Sequence, residues 1–210
     1  MEFAILDVET TGGYGTDNRI TEIAIIIHDG FREIDRYTTL VNPESFIPRR
    51  ITELTGITNE MVRTAPKFKE VARKVWDLTN DRVFVAHNVS FDFGVISNEF
   101  AILGVDFIRR KLCTIRLSKK VFPGKESYSL SKLCNSLGIS LENAHRALAD
   151  TEVTVLLFEI ILKEGNKSVI KNELRVLNKE SKIPPELDDK VFDTLPNICG
   201  VYRFYNSKGS

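Results

Sequence analysis

The sequence has no long hydrophobic run and no basic leader. Among its 210 residues, no apolar stretch approaches the roughly 18 to 20 residues that cross a bilayer, and the N-terminus enters a strand pattern directly. The three cysteines, Cys113, Cys134 and Cys199, are scattered singly without metal-ligand spacing, which favours isolated thiols over a disulfide framework or a zinc site. These absences predict a cytoplasmic protein with no membrane partner.

The sequence also lacks an excess of charge of either sign. Its 29 basic and 29 acidic residues cancel, so no strong overall field attracts a polyanion. This neutrality does not exclude an enzyme that holds nucleic acid through metal ions, because a carboxylate cluster at a site offsets basic residues elsewhere. With 42% hydrophobic and 28% charged residues, the chain has the composition of a folded globular protein of one main domain.

Hydrophobic periodicity predicts the order of the elements. The predicted strands are Phe3 to Val8, Ile20 to His28, Glu33 to Val41 and Val83 to Ala86. The predicted helices are Ile51 to Leu54, Asn59 to Arg63, Phe68 to Leu78, Phe91 to Leu103, Ile115 to Val121, Ser129 to Leu137 and about Arg146 to Leu162. Strands that alternate with helices in this way predict an α/β fold, in which a mixed sheet is flanked by helices.

Two acids stand near the end of the first predicted strand, in the run Leu6-Asp7-Val8-Glu9-Thr10-Thr11-Gly12. A period of two places Asp7 and Glu9 on one face of the strand, with Leu6 and Val8 on the other. Two neighbouring carboxylates at the end of a buried strand repel each other at neutral pH unless a cation lies between them. Taken alone the pair is a weak signal, because acids are common at solvated strand ends.

Two further segments combine acids with the start of a helix. Asp92 falls on the first turn of a predicted helix, where the helix dipole alone also favours an acid. The run His145-Arg146-Ala147-Leu148-Ala149-Asp150 leads into the last long helix. Because five helical positions rotate by about 500°, His145 and Asp150 face one site only if His145 precedes the helix.

These three segments, in this order, resemble the motifs of the DEDDh (DnaQ-like) 3′-5′ exonuclease family. Asp7 and Glu9 match the first motif, Asp92 the second, and His145 with Asp150 the third. The resemblance extends over most of the chain, and the histidine of the third motif assigns it to the histidine branch of the superfamily. It implies a ribonuclease H-like fold with a mixed five-stranded sheet.

The resemblance also implies a mechanism. Two divalent cations, Mg²⁺ or Mn²⁺, are expected to bind the four carboxylates, which offer the oxygen ligands that hard cations prefer. Asp7 bridges both ions, Glu9 and Asp150 hold the ion on the side of the attacking water, and Asp92 holds the other ion directly or through water. His145 serves as the general base that accepts a proton from the attacking water.

Candidate substrate contacts follow from the same resemblance. The backbone at Thr10, Thr11 and Gly12 is expected to pass close to the terminal nucleotide. Leu54 and Ile57 are candidates for a wedge against the terminal base, with core packing as an equal alternative. A local excess of basic residues either follows the substrate backbone or is merely solvated; it comprises Arg109, Arg110, Lys111, Arg116, Lys119, Lys120 and Lys125.

The expected substrate is single-stranded DNA or a DNA 3′ end, in proofreading or repair, with no particular polymerase or repair partner indicated. An RNA-trimming exoribonuclease of the same family fits the same motifs, because the metals act on phosphate. A non-catalytic nucleic-acid-binding module is a second alternative. The intact acids and His145 argue against it.

Three regions are predicted: an exonuclease domain at residues 1–165, a charged linker at 166–195 that keeps some helix in its first half, and a short C-terminal stretch at 196–210. The run Leu195-Pro196-Asn197-Ile198-Cys199-Gly200-Val201-Tyr202-Arg203-Phe204 resembles the opening of a UvrC-like GIY-YIG nuclease domain. This resemblance predicts a natural chain that continues past Ser210 into a second nuclease domain, with a role in DNA repair. A frayed C-terminal tail is the plainer alternative.

Overall fold

The computed structural model describes residues 1–12, 17–139, 146–165 and 167–177. The strands are β1 (Phe3–Thr10), β2 (Ile20–His28), β3 (Glu33–Leu40), β4 (Val83–Ala86) and β5 (Lys111–Cys113). The helices are α1 (Arg49–Thr55), α2 (Asn59–Arg63), α3 (Phe68–Thr79), α4 (Val89–Ile102), α5 (Thr114–Val121), α6 (Leu130–Ser136), α7 (Ala147–Glu164) and α8 (Lys167–Leu177). The predicted general base His145 and the GIY-YIG-like stretch at 196–210 lie outside the described residues.

A five-stranded mixed sheet forms the centre of the domain, in the order β3-β2-β1-β4-β5. β1, β2 and β3 pair antiparallel, whereas β4 pairs parallel with both β1 and β5. The predicted α/β class, with a mixed five-stranded sheet and flanking helices, is therefore confirmed. Within the described residues, no helix is long and apolar enough to cross a membrane.

Helices cover both faces of the sheet, so two hydrophobic cores form. On one face, α3 and α4 pack against β1 and β2, around side chains such as Leu6, Val8 and Phe100. On the other face, α7 lies across the same two strands and buries Phe3 and Phe158. Because both faces are covered, every residue of β2 is buried, which explains its nearly continuous apolar sequence.

Several element boundaries differ from the sequence prediction. β1 continues beyond Val8, because its pairing with β2 extends to Thr10. α4 begins at Val89, two residues before the predicted start, directly after Asn88 in a left-handed conformation. β5 was not located by periodicity, since a strand of three residues is too short to show a period.

The chain stays folded beyond the predicted domain boundary at residue 165. α8 packs against α5 and β5. Its Glu173 is completely buried, where its carboxylate accepts a hydrogen bond from Arg116 Nε at 2.8 Å and pairs with Lys120. The first part of the predicted linker therefore forms a helix that is docked on the domain.

Candidate active site

β1 carries the first two acids of the site. Leu6 and Val8 on this strand are buried in the core under α3 and α4, so Asp7 and Glu9 lie on the opposite face, as the period of two predicts. Along that face they follow Phe3 toward the C-terminal end of the strand, and both are only partly buried. The strand thus presents two carboxylates on the side of the sheet that α7 covers.

Asp150 completes a cluster of three acids. It lies in the first turn of α7, which crosses β1 and β2 on the face that carries Asp7 and Glu9. One carboxylate oxygen from each of Asp7, Glu9 and Asp150 lies within 4.8 Å of the other two. These three residues, the three-acid cluster, are able to offer oxygen ligands to one cation.

Asp92 approaches the same end of β1 from the other face of the sheet. The pairing of β1 with β4 stops at Ile5, and beyond it the Val8 N–H donates to Asp92 Oδ1 at 3.2 Å. Asp92 lies in the first turn of α4 and is only 2% exposed. It is close enough for its charge to act on Asp7, although its carboxylate does not belong to the three-acid cluster.

The electrostatics of the site favour a bound cation. Burial raises the pKa of Asp7 well above its usual range, and the neighbouring carboxylates add to the effect. Burial, followed by the charge of Asp150, raises the pKa of Glu9 to about 7, against a partial offset by Arg146. Burial likewise raises the pKa of Asp92 to about 7. Acids that are costly to ionise together in a buried site are stabilised by a hard cation.

These pKa shifts predict how the stability of the protein depends on pH. Because the pKa values of Glu9 and Asp92 rise to about 7 in the folded state, both carboxyls bind protons more tightly there than in the unfolded chain. Their contribution to stability is present at low pH and is lost as the pH rises toward 7. In EDTA, the thermal unfolding midpoint should therefore be lower at about pH 8 than at about pH 5.5.

Saturating Mg²⁺ should reduce this pH dependence, because the cation stabilises the ionised carboxylates. The measurement is a thermal melt at each pH, with and without the metal. An unfolding midpoint in EDTA that rises with pH would contradict the assignment of raised pKa values to this site.

Side-chain hydrogen bonds hold the predicted substrate segment, Thr10–Gly12, in place. Thr10 and Thr11 are nearly buried, and the Thr11 hydroxyl is hydrogen-bonded within the turn. The Gly12 N–H donates to Thr10 Oγ1 at 3.2 Å and to Asn18 Oδ1 at 3.0 Å. Gly12 has φ of 73°, and a Cβ there would lie 2.5 Å from Ile51 Cδ1, so glycine suits this position. These contacts, together with the bond from the Thr11 N–H to the Arg19 carbonyl, fix the backbone of the turn.

Leu54 and Ile57, the two predicted wedge residues, have different surroundings. Leu54 is 52% exposed and is available to a ligand. Ile57 is completely buried against Ile47 and Val62, because Gly56 turns the chain inward after α1. The burial of Ile57 favours the packing alternative for this residue over contact with the terminal base.

Much of the predicted basic cluster is engaged within the protein. The Arg109 guanidinium lies over the rings of Trp76 and Phe107. Arg116 and Lys120 pair with buried Glu173. These contacts favour a structural role for at least these three basic residues over a path for the substrate backbone.

Two ion pairs with a buried glutamate were not identified from the sequence. Glu22 lies opposite Glu9 in the β1–β2 pairing, is 4% exposed, and accepts hydrogen bonds from the Arg146 guanidinium at 3.0 and 2.6 Å. Glu99 of α4 binds Arg19 in the same bidentate way, at 2.8 and 3.0 Å. The available signal for Glu22 was an acid inside an otherwise apolar strand.

The sequence of this chain is similar to those of known proteins. The family model described as exonuclease (RNase_T) matches residues 4–158. The 3′-5′ exonuclease DinG of Bacillus subtilis (strain 168) is 38% identical over 166 residues, which is 78% of this chain but 18% of that protein. The DNA polymerase III subunit epsilon of Aquifex aeolicus (strain VF5) is 35% identical over 164 residues, covering 77% of this chain and 81% of that protein.

The fold is also similar to that of a solved structure. The structure of exonuclease X in complex with 5′ overhanging duplex DNA aligns with a TM-score of 0.67 at 26% identity, covering 82% of this chain and 99% of that chain. The chain thus spans nearly all of that structure and under a fifth of the DinG relative.

Proposed function

Because this chain belongs to the exonuclease (RNase_T) family and is of the DnaQ type of 3′-5′ exonuclease, we propose that it removes nucleotides from the 3′ ends of DNA by metal-dependent hydrolysis. The observation that carries this proposal is the convergence of Asp7, Glu9 and Asp150. Acids from a strand and from a helix more than 140 positions later have no packing reason to share one partly buried site. Binding of a cation gives a reason.

The donor set fits Mg²⁺ or Mn²⁺. Both ions prefer oxygen ligands, and the site offers carboxylates without a cysteine or histidine among the three clustered residues. Burial, with a smaller effect from neighbouring carboxylates, raises the pKa values of Glu9 and Asp92, and a bound cation would favour their ionised forms. Two bound cations would stabilise negative charge on the reacting phosphate and lower the pKa of the attacking water.

The residues of the chain then have separate roles. Asp7 would hold both cations, and Glu9 and Asp150 would hold the cation that activates the attacking water. Asp92, whose Oδ1 accepts the Val8 N–H, would hold the second cation directly or through water. His145 accepts the proton from the attacking water.

The polarity of the reaction is proposed from the turn after β1. The backbone at Thr10–Gly12 stands beside the acids and is held by Asn18, so it is suited to a free chain end. Leu54 is the exposed candidate for contact with the terminal base. The relative from Aquifex aeolicus is named a subunit of DNA polymerase III, and exonuclease X was solved with DNA. We therefore assign DNA as the substrate, in replication proofreading or repair.

The test is a degradation assay with Mg²⁺ or Mn²⁺ on 5′-labelled single-stranded DNA, mismatched duplex DNA and RNA of the same sequence. The expected result is a ladder that shortens from the 3′ end of the DNA and releases nucleoside monophosphates, and that disappears in EDTA. A closed single-stranded DNA circle should resist. Because the reaction needs a free terminus, cleavage of the circle at the linear rate would contradict the assignment as an exonuclease.

The control for contaminating nuclease is the Asp7→Asn variant, prepared in the same way. Weak activity that persists in this variant after its Mn²⁺ binding is lost would be assigned to a contaminating nuclease. Faster degradation of RNA than of DNA would transfer the assignment to an exoribonuclease of the same family. Retention of nucleic acid without any hydrolysis would instead indicate a binding module.

A further inference from the structure

We propose that Glu22 and Arg146 are positioning residues that hold the first turn of α7 against the sheet and thereby keep Asp150 in the three-acid cluster. The inference rests on the proposed function. It concerns two residues that supply no ligand to the cluster, and it explains how a helix that bears an acid is held close to two other acids.

The contacts join the start of α7 to β2 directly. The Glu22 carboxylate accepts from Arg146 Nε at 3.0 Å and from Arg146 Nη2 at 2.6 Å. The same carboxylate accepts the backbone N–H of Ala147, the first residue of α7, at 3.0 Å. Glu22 therefore binds the side chain that precedes the helix and one of the N–H groups that no helical carbonyl can satisfy.

Because Glu22 lies on the sheet beside the cluster, its contacts hold the first turn of α7 close to the cluster. Glu22 pairs with Glu9 across β1 and β2, so its backbone is fixed beside the cluster by the strand ladder. The Asp150 N–H donates to the Arg146 carbonyl within the first turn of α7, at 3.0 Å. A shift of Arg146 away from Glu22 is thus transmitted to Asp150 through a single helical turn.

Electrostatic repulsion makes such an anchor necessary. Like charges within a few ångströms repel, and the charge of Asp150 contributes to the raised pKa of Glu9. The Glu22–Arg146 pair opposes separation of α7 from the sheet, and Arg146 partly offsets the charge that Glu22 adds beside Glu9. Glu22 is almost fully buried, so its carboxylate has little access to water as an alternative partner.

The test uses two variants that change the geometry of the Glu22–Arg146 contact and keep the charge of each side chain. Glu22→Asp keeps the negative charge but shortens the side chain, and Arg146→Lys keeps the positive charge but removes the planar fork that binds both oxygens. Each variant should lower kcat on single-stranded DNA about 10- to 100-fold with KM essentially unchanged, because the substrate contacts are elsewhere. The double variant should lose little more than either single variant, since both break the same contact.

The matched control is Glu173→Gln. Glu173 is also a buried glutamate bound by two basic residues, Arg116 and Lys120, but it lies on α8, outside the cluster. Its loss should lower the unfolding midpoint while kcat stays at the wild-type value. Wild-type kcat in both Glu22→Asp and Arg146→Lys would overturn the inference, as would an equal fall of kcat in Glu173→Gln.

A second readout keeps the inference independent of the proposed activity. Affinity for Mn²⁺, measured by titration calorimetry, should fall about 10- to 100-fold in Glu22→Asp and Arg146→Lys, because Asp150 no longer meets the other acids. If wild-type protein degrades no nucleic acid, the proposed function fails, and the Mn²⁺ titration still decides the inference. Unchanged affinity in both variants would refute it.

Discussion

Replacement of Asp7 by asparagine should reduce the rate of hydrolysis at 3′ ends by at least about 10³-fold, since metal ions stabilise the transition state by several kcal/mol. Asp7 is the acid on which the others converge. It belongs to the three-acid cluster, and the charge of Asp92 on the other face of the sheet also acts on it. Asparagine keeps the shape of the side chain but loses the charge, so the substitution removes a cation ligand with little change in packing.

The same substitution should stabilise the protein in EDTA. Burial and neighbouring carboxylates raise the pKa of Asp7 well above its usual range, which means that its ionised form is disfavoured in the fold. A neutral amide removes that cost, so the unfolding midpoint of Asp7→Asn in EDTA should exceed that of the wild type at about pH 8, where ionisation is most complete. Mg²⁺ should raise the midpoint of the wild type more than that of the variant.

Asp35→Asn is a suitable control for both measurements. Asp35 is an exposed aspartate on β3, where it accepts the backbone N–H of Arg36 and is not part of the cluster. This variant should keep wild-type activity and show no gain of stability in EDTA. Substantial activity in Asp7→Asn, together with normal Mn²⁺ binding, would show that Asp7 is not a metal ligand.

The central strands could be predicted from the sequence because their apolar pattern is strong. β2 and β4 have the predicted bounds, since each is buried on both sides and is therefore mostly apolar. β5 has only three residues, so the presence of a fifth strand was inferred from family resemblance and not from periodicity. The end of β1 depends on its pairing with β2, which no local pattern contains.

The sequence predicts only part of the site. Local patterns do not show which residues from distant parts of the chain come together. A period of two is enough to place Asp7 and Glu9 on one face of β1. The arrival of Asp150 beside them depends on how α7 packs across the sheet, and only the resemblance to a family supplied that. The burial of Ile57 could not be predicted from its place in the sequence. The chain turns at Gly56 and directs this side chain into the core.

Buried ion pairs were the least predictable part of the site. Glu22 and Arg146 are 124 positions apart, and Arg19 and Glu99 are 80 apart, so neither partner reveals the other in the sequence. An acid in a buried strand indicates only that some partner must exist. The partner, and with it the proposed anchoring of α7, is a property of the packed fold.

The second large effect is expected at His145, whose position in the chain suits a general base. Asp150 lies in the first turn of α7, which begins at Ala147. Arg146, the residue that directly precedes α7, is bound to Glu22 on the sheet. Arg146, and with it the start of α7, is therefore held beside the three-acid cluster.

His145→Ala should lower kcat by about 10²- to 10⁴-fold, which is the range for loss of a general acid or base. Affinity for Mn²⁺ should stay at the wild-type value, because the three-acid cluster is intact and His145 is proposed to act on the attacking water and not as a metal ligand. Added imidazole should restore part of the lost rate in His145→Ala and none in Asp7→Asn, since a free base can replace a missing base but not a missing carboxylate. A collapse of Mn²⁺ binding in His145→Ala would instead identify the residue as a ligand, and wild-type turnover would mean that another group accepts the proton.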